Sequence, residues 1–274
     1  MPELPEVEVL RRSLEPRLVG RRIEGLDVHA RSLREPISRR AFERAALGRR
    51  IERVRRRGKF LLVDLEGEST LVFHLGMSGR LTLAEASRPR EPHEHLSLSL
   101  DGGERLRLRD PRRFGLALAR PTRGLERDAH FARLGREPLD PPVDGVTLRA
   151  LAAGRRVPVK NFVMDGRAVA GVGNIYATEA LFRAGIRPTR SVTALTRASW
   201  DALAAAIVAV LREAIGSGGT TLNDFTDGAG ARGEFQGALA VYGRAGETCG
   251  RCGGRVRRVV LGGRGTFYCP GCQR

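Results

Sequence analysis

The four cysteines of this chain stand at Cys249, Cys252, Cys269 and Cys272, a pattern of C-x2-C, sixteen residues, C-x2-C. Two knuckles at that separation suit a β-hairpin that delivers four thiolates to one tetrahedral ion. Paired disulfides are the competing arrangement, but every cysteine lies in knuckle spacing and a cytosolic chain keeps its thiols reduced. Four thiolates leave no open coordination position, so the expectation is one structural Zn2+ rather than a catalytic one.

With 274 residues, 41% of them hydrophobic, the chain can bury a sizeable core and is expected to split into two domains. Its 48 basic and 31 acidic residues give a formal charge of +17, which calls for a polyanionic partner. A membrane surface is one candidate. The sequence, however, has no run of about 18 apolar residues and no basic amphipathic helix with a bulky apolar face, so nucleic acid is favoured. The opening MPELPEVEVLRR has three glutamates within eight residues and no apolar h-region, and reads as neither signal peptide nor anchor. The expected location is cytoplasmic, at a bacterial nucleoid. Only Lys59 and Lys160 are lysines, leaving 46 arginines. A lysine that persists against such a bias is wanted for its compact ammonium or its tunable pKa.

Leu4, Val7, Leu10, Leu14 and Leu18 recur at helical spacing behind Glu3, Glu6 and Glu8, which predicts an opening helix over residues 4–19, kinked or shortened near its end by Pro16. From Arg22 to about Arg120, short apolar runs with period-two stretches and Gly-rich turns predict the strands of a β-sandwich. Residues 135–146 are Pro-rich and read as a linker. Thr147–Ala153, Asn174–Ala184 and Trp200–Ile215 are expected as helices, and a glycine-studded stretch over 227–237 precedes a β-rich cysteine module. The expected fold class is α+β. Its parts are an N-terminal helix and β-sandwich domain (1–134), a linker (135–146), a helical domain (147–237) and a zinc finger (238–274).

Several motifs carry chemistry. His74-Leu-Gly-Met-Ser-Gly and Asp110-Pro-Arg-Arg-Phe-Gly set Met77, Arg112 and Phe114 on turns between strands. Either these apolar side chains are core residues at strand ends, or they wedge into a base stack while arginine bonds an orphaned base. Gly171-Val-Gly-Asn at a helix start is a glycine turn with an ordinary cap, or a set of amides that converge on a phosphate. Arg255, Arg257, Arg258 and Arg264 lie between the knuckles, on a solvated basic hairpin or one that meets phosphate. Finally, Pro2 is small enough to expect removal of Met1, which exposes a secondary amine next to Glu3. An α-amino group has a pKa of about 8, and its attack on a sugar C1′ yields an iminium that is already cationic. Glu3 and Glu6, at i and i+3, face one site.

PELPEVE at the start, Lys59, HLGMSG, DPRRFG, GVGNIYATE, GGTTLNDF, VYGRAGETCGRC and GRGTFYCPGCQR together resemble the bacterial formamidopyrimidine-DNA glycosylase family, from Pro2 to Arg274. The resemblance implies a helix-two-turn-helix in the helical domain and a bifunctional glycosylase/AP lyase that excises oxidised purines and nicks the strand by β,δ-elimination. It implies Pro2 as Schiff-base nucleophile, Glu3 as acid-base residue with Glu6 in support, and Lys59, His74, Asn174 and Arg264 as a phosphate clamp. Met77, Arg112 and Phe114 match residues that fill the helix void, Lys160 one that handles the lesion, and His95, Thr220 and Tyr242 further DNA-binding positions. Residues 220–235 match a flap over the everted base.

Met164-Asp165-Gly166 departs from the family's common Leu-Asp-Gln beside Lys160. Two other readings are an endonuclease VIII-type enzyme for oxidised pyrimidines, which Leu4 and DPRRFG speak against, and a zinc-finger DNA-binding protein without catalysis. The expected partner is duplex DNA bearing an oxidised purine, bound by a monomer. No P-loop or dinucleotide fingerprint appears, so no nucleotide cofactor is expected.

Overall fold

The computed structural model describes residues 2–220, 228, 230–231 and 233–274. Two compact units account for the chain: Met1–Ala132 with Ser217–Glu234, and Arg133–Gly216 with Phe235–Arg274.

The first unit opens with helix α1, Leu4–Leu18. Leu4, Leu10, Leu14 and Leu18 are fully buried and Val7 nearly so, as the helical spacing requires. Pro16 sits in the last turn, where its missing N–H costs one bond, and the helix closes two residues later. Eight antiparallel strands follow, forming two sheets. One contains β2 (Ile51–Arg57), β3 (Phe60–Leu65), β4 (Ser69–His74) and β8 (Leu116–Pro121), in that order. The other is ordered β1 (Ile23–Val28), β6 (Glu94–Leu100), β7 (Glu104–Arg109), β5 (Arg80–Glu85). Their inner faces join α1 in one apolar core that includes Ile23, Leu61, Val63, Phe73, Leu81, Leu98 and Leu106. The stretch expected to be all strand also holds a helix, α2 (Arg39–Ala46), capped by Ser38, whose Oγ accepts the Ala41 N–H at 3.2 Å. Phe42, Ala45 and Ala46 are its buried residues, and Phe42 is the one large apolar side chain among them, so the segment shows no legible period.

This sheet order places the chemistry-bearing turns. The chain crosses between sheets from β4 to β5 and again from β7 to β8. Because β4 pairs with β8 and β5 pairs with β7, the two crossovers run side by side. His74 and Leu116 are register partners at one edge of that junction, Arg80 and Arg109 at the other.

In the second unit, α3 (Gly145–Ala152), α4 (Val159–Met164), α5 (Asn174–Arg183) and α6 (Arg197–Gly216) lead to a hairpin of β9 (Arg257–Leu261) and β10 (Arg264–Tyr268). Asp144 caps α3 by accepting the Thr147 N–H at 2.7 Å. The six-residue α4 carries no expectation from sequence because it is shorter than two turns. Gly262 and Gly263, both at positive φ, form the two-residue hairpin turn whose twist matches the flanking strands. No helix among the described residues is long and apolar enough to cross a membrane.

Leu10 is fully buried on the core face of α1. Leu10→Ala is expected to lower unfolding free energy by about 2–5 kcal/mol, through lost transfer energy and the cavity left behind; a guanidinium titration with a loss under about 1 kcal/mol would contradict this packing.

Candidate functional site

At the start of α1, Pro2 is buried, and Glu3 and Glu6 are 2% and 1% exposed. Glu6 accepts from two backbone donors: its Oε2 takes the Glu3 N–H at 2.7 Å and its Oε1 the Thr220 N–H at 2.8 Å. One carboxylate therefore fixes the residue that follows Pro2 and the beginning of the segment after α6. A carboxylate buried this deeply is stable only with such donors. Gly228 is held to the same unit, its N–H donating to Ser13 Oγ at 2.9 Å and its carbonyl accepting the Leu83 N–H at 3.1 Å. Of the flap expected over 220–235, residues 221–227, 229 and 232 lie outside the described residues.

The paired crossovers carry Met77 and Phe114, 43% and 46% exposed, so neither is a core residue at a strand end. Arg112 places its guanidinium carbon 4.9 Å from the Phe114 ring centroid. Beneath them Asp110, fully buried, joins the two turns: Oδ1 accepts from Ser78 Oγ at 2.6 Å and Oδ2 from the Gly115 N–H at 2.7 Å. Ser78 Oγ in turn accepts the Arg112 N–H at 3.2 Å. Gly76, at φ +60°, lies so close to the other crossover that a Cβ would fall 2.4 Å from the Phe114 carbonyl carbon. His95 is 4% exposed, and its Nε2–H donates to the Asp110 carbonyl at 2.8 Å, so its imidazole braces the turn from inside the fold.

His74 ends β4 opposite Phe60, whose ring centroid lies 4.9 Å away. Lys59 occupies the two-residue turn just before Phe60. The imidazole Nδ1 accepts the Gly76 N–H at 3.0 Å and faces Arg34 Nη2 at 3.1 Å. Burial, then the positive charges of Arg34, Lys59 and His130, push the His74 pKa down to about 3. With Nδ1 accepting, the proton of the neutral ring sits on Nε2, which is thereby a donor suited to a phosphate oxygen.

In the second unit Lys160 is fully buried. Its ammonium donates to Asn174 Oδ1 and to Thr266 Oγ1, both at 2.5 Å. Asn174 Nδ2 donates to the Gly265 carbonyl at 3.0 Å, and Thr266 Oγ1 to the Arg264 carbonyl at 3.2 Å. The lysine thus stitches the first residue of α5 to the strand that begins at exposed Arg264. It lies beneath the surface that would meet a ligand. Glu179 does the same five residues further along α5, accepting the N–H groups of Ala240, Val241 and Tyr242 at 2.9, 3.0 and 2.8 Å. Tyr242 packs edge-on against Phe267 at 5.2 Å.

The cysteine Sγ atoms all lie within 4.8 Å of one another, with Cys249 and Cys272 at 3.8 Å and Cys252 and Cys269 at 3.4 Å. A tetrahedral ion with Zn–S bonds of about 2.3 Å sets sulfurs about 3.8 Å apart, whereas a disulfide needs about 2.05 Å. The donor set fits zinc. Burial and the neighbouring thiols push the Cys272 thiol up to about 12, while Cys249, despite burial, is drawn down to about 7 by the Arg251 and Cys252 N–H groups. Four thiolates can coexist here only around a cation.

Sequence reasoning passed over Arg34, Ser78, Asp110, Glu179 and Thr266 as site residues. Asp110 and Glu179 stood inside quoted motifs, and a charged residue in a segment destined for burial was their available signal.

Comparison with known proteins agrees with this layout. The formamidopyrimidine-DNA glycosylase N-terminal domain family matches residues 1–117, the formamidopyrimidine-DNA glycosylase H2TH domain family residues 134–226, and the zinc finger found in FPG and IleRS residues 246–274. The chain is 50% identical to a formamidopyrimidine-DNA glycosylase of Methylococcus capsulatus and 49% identical to one of Halorhodospira halophila, each alignment covering 100% of both chains. Among solved structures, the Lactococcus lactis FPG in complex with a Fapy-dG containing DNA superposes with a TM-score of 0.90 at 32% identity, over 99% of this chain and 100% of that one. The Lactococcus lactis Fpg bound to an abasic site containing DNA gives 0.91 at 32% identity over 99% of each. The chain belongs to the formamidopyrimidine-DNA glycosylase family.

Two outcomes follow from this geometry. The folded-state pKa of His74 is depressed, so the stability gained by keeping it neutral is full above about pH 6.5 and is lost as pH falls toward about 3. Its imidazole nitrogen shifts are therefore expected to stay flat from pH 8 to pH 5; a midpoint near 6.5 would refute the arrangement. Zinc analysis is expected to return one ion per chain, and chelation under reducing conditions should melt the hairpin and abolish DNA binding while the sandwich stays folded by circular dichroism.

Proposed function

We propose that this protein excises oxidised purines, chiefly 8-oxoguanine and formamidopyrimidines, from duplex DNA and then nicks the strand, acting as glycosylase and AP lyase in base excision repair. It would work on chromosomal DNA at the bacterial nucleoid. The carrying observation is the start of α1, where Pro2 and Glu3 lie buried together and Glu6 holds the Glu3 backbone. Freed of Met1, the Pro2 nitrogen is a secondary amine beside buried Glu3. It attacks C1′, the N–C1′ bond forms as the bond to the damaged base breaks, and the base departs with a proton. Glu3 assists ring opening and the proton transfers: the amine proton leaves, O4′ takes up a proton as the C1′–O4′ bond breaks, and the nitrogen lone pair closes the iminium. The iminium then withdraws electrons as a C2′ proton leaves and the C3′–O bond breaks, and a second elimination frees the 5′ oxygen.

A glycosylase must also remove its target from the stack, which costs a few kcal/mol. Met77 and Phe114 are apolar, exposed and held on adjoining rigid turns, which suits them to fill the void, with Arg112 for the orphaned base. Lys59 and His74 in the first unit, and Asn174 and Arg264 in the second, are assigned to phosphate oxygens. His74 contributes a neutral N–H whose availability does not change across physiological pH. Lys160, His95 and Tyr242 are assigned to holding these groups in place. The purine reading is preferred to the pyrimidine one because the relatives carry the formamidopyrimidine name and the Lactococcus lactis proteins hold Fapy-dG or abasic-site DNA.

Borohydride reduces an iminium to a stable amine, so the chain with Met1 removed is expected to become covalently trapped on DNA with 8-oxoguanine opposite cytosine, and a preparation that retains Met1 is not. Failure of the processed chain to trap would leave a DNA-binding protein without catalysis. Faster release of thymine glycol than of 8-oxoguanine would assign it to oxidised pyrimidines.

A further inference from the structure

Arg34 belongs to none of the motifs above, yet it touches both halves of the surface that the first unit offers to DNA. It lies in a tight loop after β1, where the Leu33 N–H donates to the Glu35 carbonyl at 3.0 Å and the Ile37 N–H to the Arg31 carbonyl at 2.9 Å. Leu33 and Ile37 are buried in the sandwich core, so the loop is anchored on both sides of Arg34 while Arg34 itself is exposed. Its backbone N–H donates to the Gly115 carbonyl at 3.1 Å. Its guanidinium closes on the Phe114 carbonyl with two donors, Nε at 3.1 Å and Nη2 at 2.6 Å, and the second Nη2 proton points toward His74 Nδ1 at 3.1 Å.

We propose that Arg34 is a positioning residue that locks the Phe114 wedge and the His74 phosphate donor into one rigid piece, so that base displacement and phosphate capture occur in fixed register. The inference rests on the glycosylase reading for its purpose and on the hydrogen bonds alone for its mechanics. Phe114 follows Arg113, whose positive φ of 55° is uncommon outside glycine and persists only where neighbours hold it. A planar, permanently charged fork is the side chain suited to hold a carbonyl and an imidazole nitrogen at once; an ammonium offers the charge without the fork. Protonation of His74 would destroy this link, since its Nδ1 would then be a donor facing a donor. The charges that face His74 are Arg34, Lys59 and His130, the last paired with Glu35 at 3.3 Å, and together they oppose that protonation.

The test compares wild type, Arg34→Met and Arg34→Lys, each with Met1 removed. In single-turnover excision of 8-oxoguanine opposite cytosine, Arg34→Met is expected to be slower on the order of tenfold, the scale of one lost charge-assisted hydrogen bond. Arg34→Lys should recover part of that. Nicking of a preformed abasic site, whose base needs no displacement, should fall by a smaller factor. In nitrogen-detected NMR, His74 of Arg34→Met should begin to titrate at higher pH than in wild type, and the Phe114 amide should gain fast-timescale motion. Excision within twofold of wild type, with unmoved His74 and Phe114 signals, would overturn the proposal. If wild type itself fails to excise while the NMR changes appear, the glycosylase reading fails and the positioning role stands. Equal losses on both substrates, with a lowered melting temperature and unchanged His74 titration, would show Arg34 to be merely structural and also overturn it.

Discussion

Asp110 is the constraint around which the first unit's chemistry is arranged. A fully buried carboxylate is stable only when its lone pairs are engaged, and here each oxygen takes one donor from a different crossover. The two turns that carry Met77 and Phe114 therefore cannot part without taking the Ser78 donor from a buried carboxylate oxygen, at a cost of about 1–3 kcal/mol. The sheet order sets the crossovers side by side, and Asp110 converts that proximity into a rigid joint. His95 below and Arg34 beside it hold the same joint from two further directions.

The same logic recurs at three other buried groups. Glu6 binds the start of α1 to Thr220, Glu179 binds α5 to the segment that enters the zinc module, and Lys160 binds α5 to the hairpin at Arg264. Each of these contacts joins a segment assigned to DNA contact to a regular element. A protein that displaces a base must present donors and wedges at fixed separation, because a wedge that yields loses the interaction that offsets unstacking. With 48 basic residues available, exposed cations are plentiful. What the fold adds is a small set of buried polar ties that orient a few of them.

Much of the architecture was legible in one dimension. The period of Leu4, Val7, Leu10, Leu14 and Leu18 marked α1, alternating runs marked β3, β4, β6 and β7, and the knuckle spacing marked the metal site, because helical, strand and coordination geometry each impress a period on the chain. Short α2 and α4 escaped, since α2 sets a single large apolar side chain, Phe42, among charged residues and alanines, and α4 is only six residues long. Met77 and Phe114 stood on turns in the sequence, but an apolar turn residue reads equally as core or as wedge until its exposure is known. Arg34 was one arginine among 46. Nothing in its neighbours marks it, because its partners are 40 and 80 residues away.

By itself, then, the sequence determined that this chain carries a four-thiolate zinc hairpin, a strongly basic surface, a helix opening on proline and glutamate, and the ordered motifs of a repair glycosylase family. Each of these is a matter of composition or of local spacing. Only the tertiary structure decided that the two crossovers adjoin, that Lys160 and His95 lie beneath the surface as braces, and that His74 is a neutral donor. The reason is physical: burial, protonation and hydrogen-bond partnership depend on which distant segments exclude water from a group, and strand order, absent from any local window, sets that.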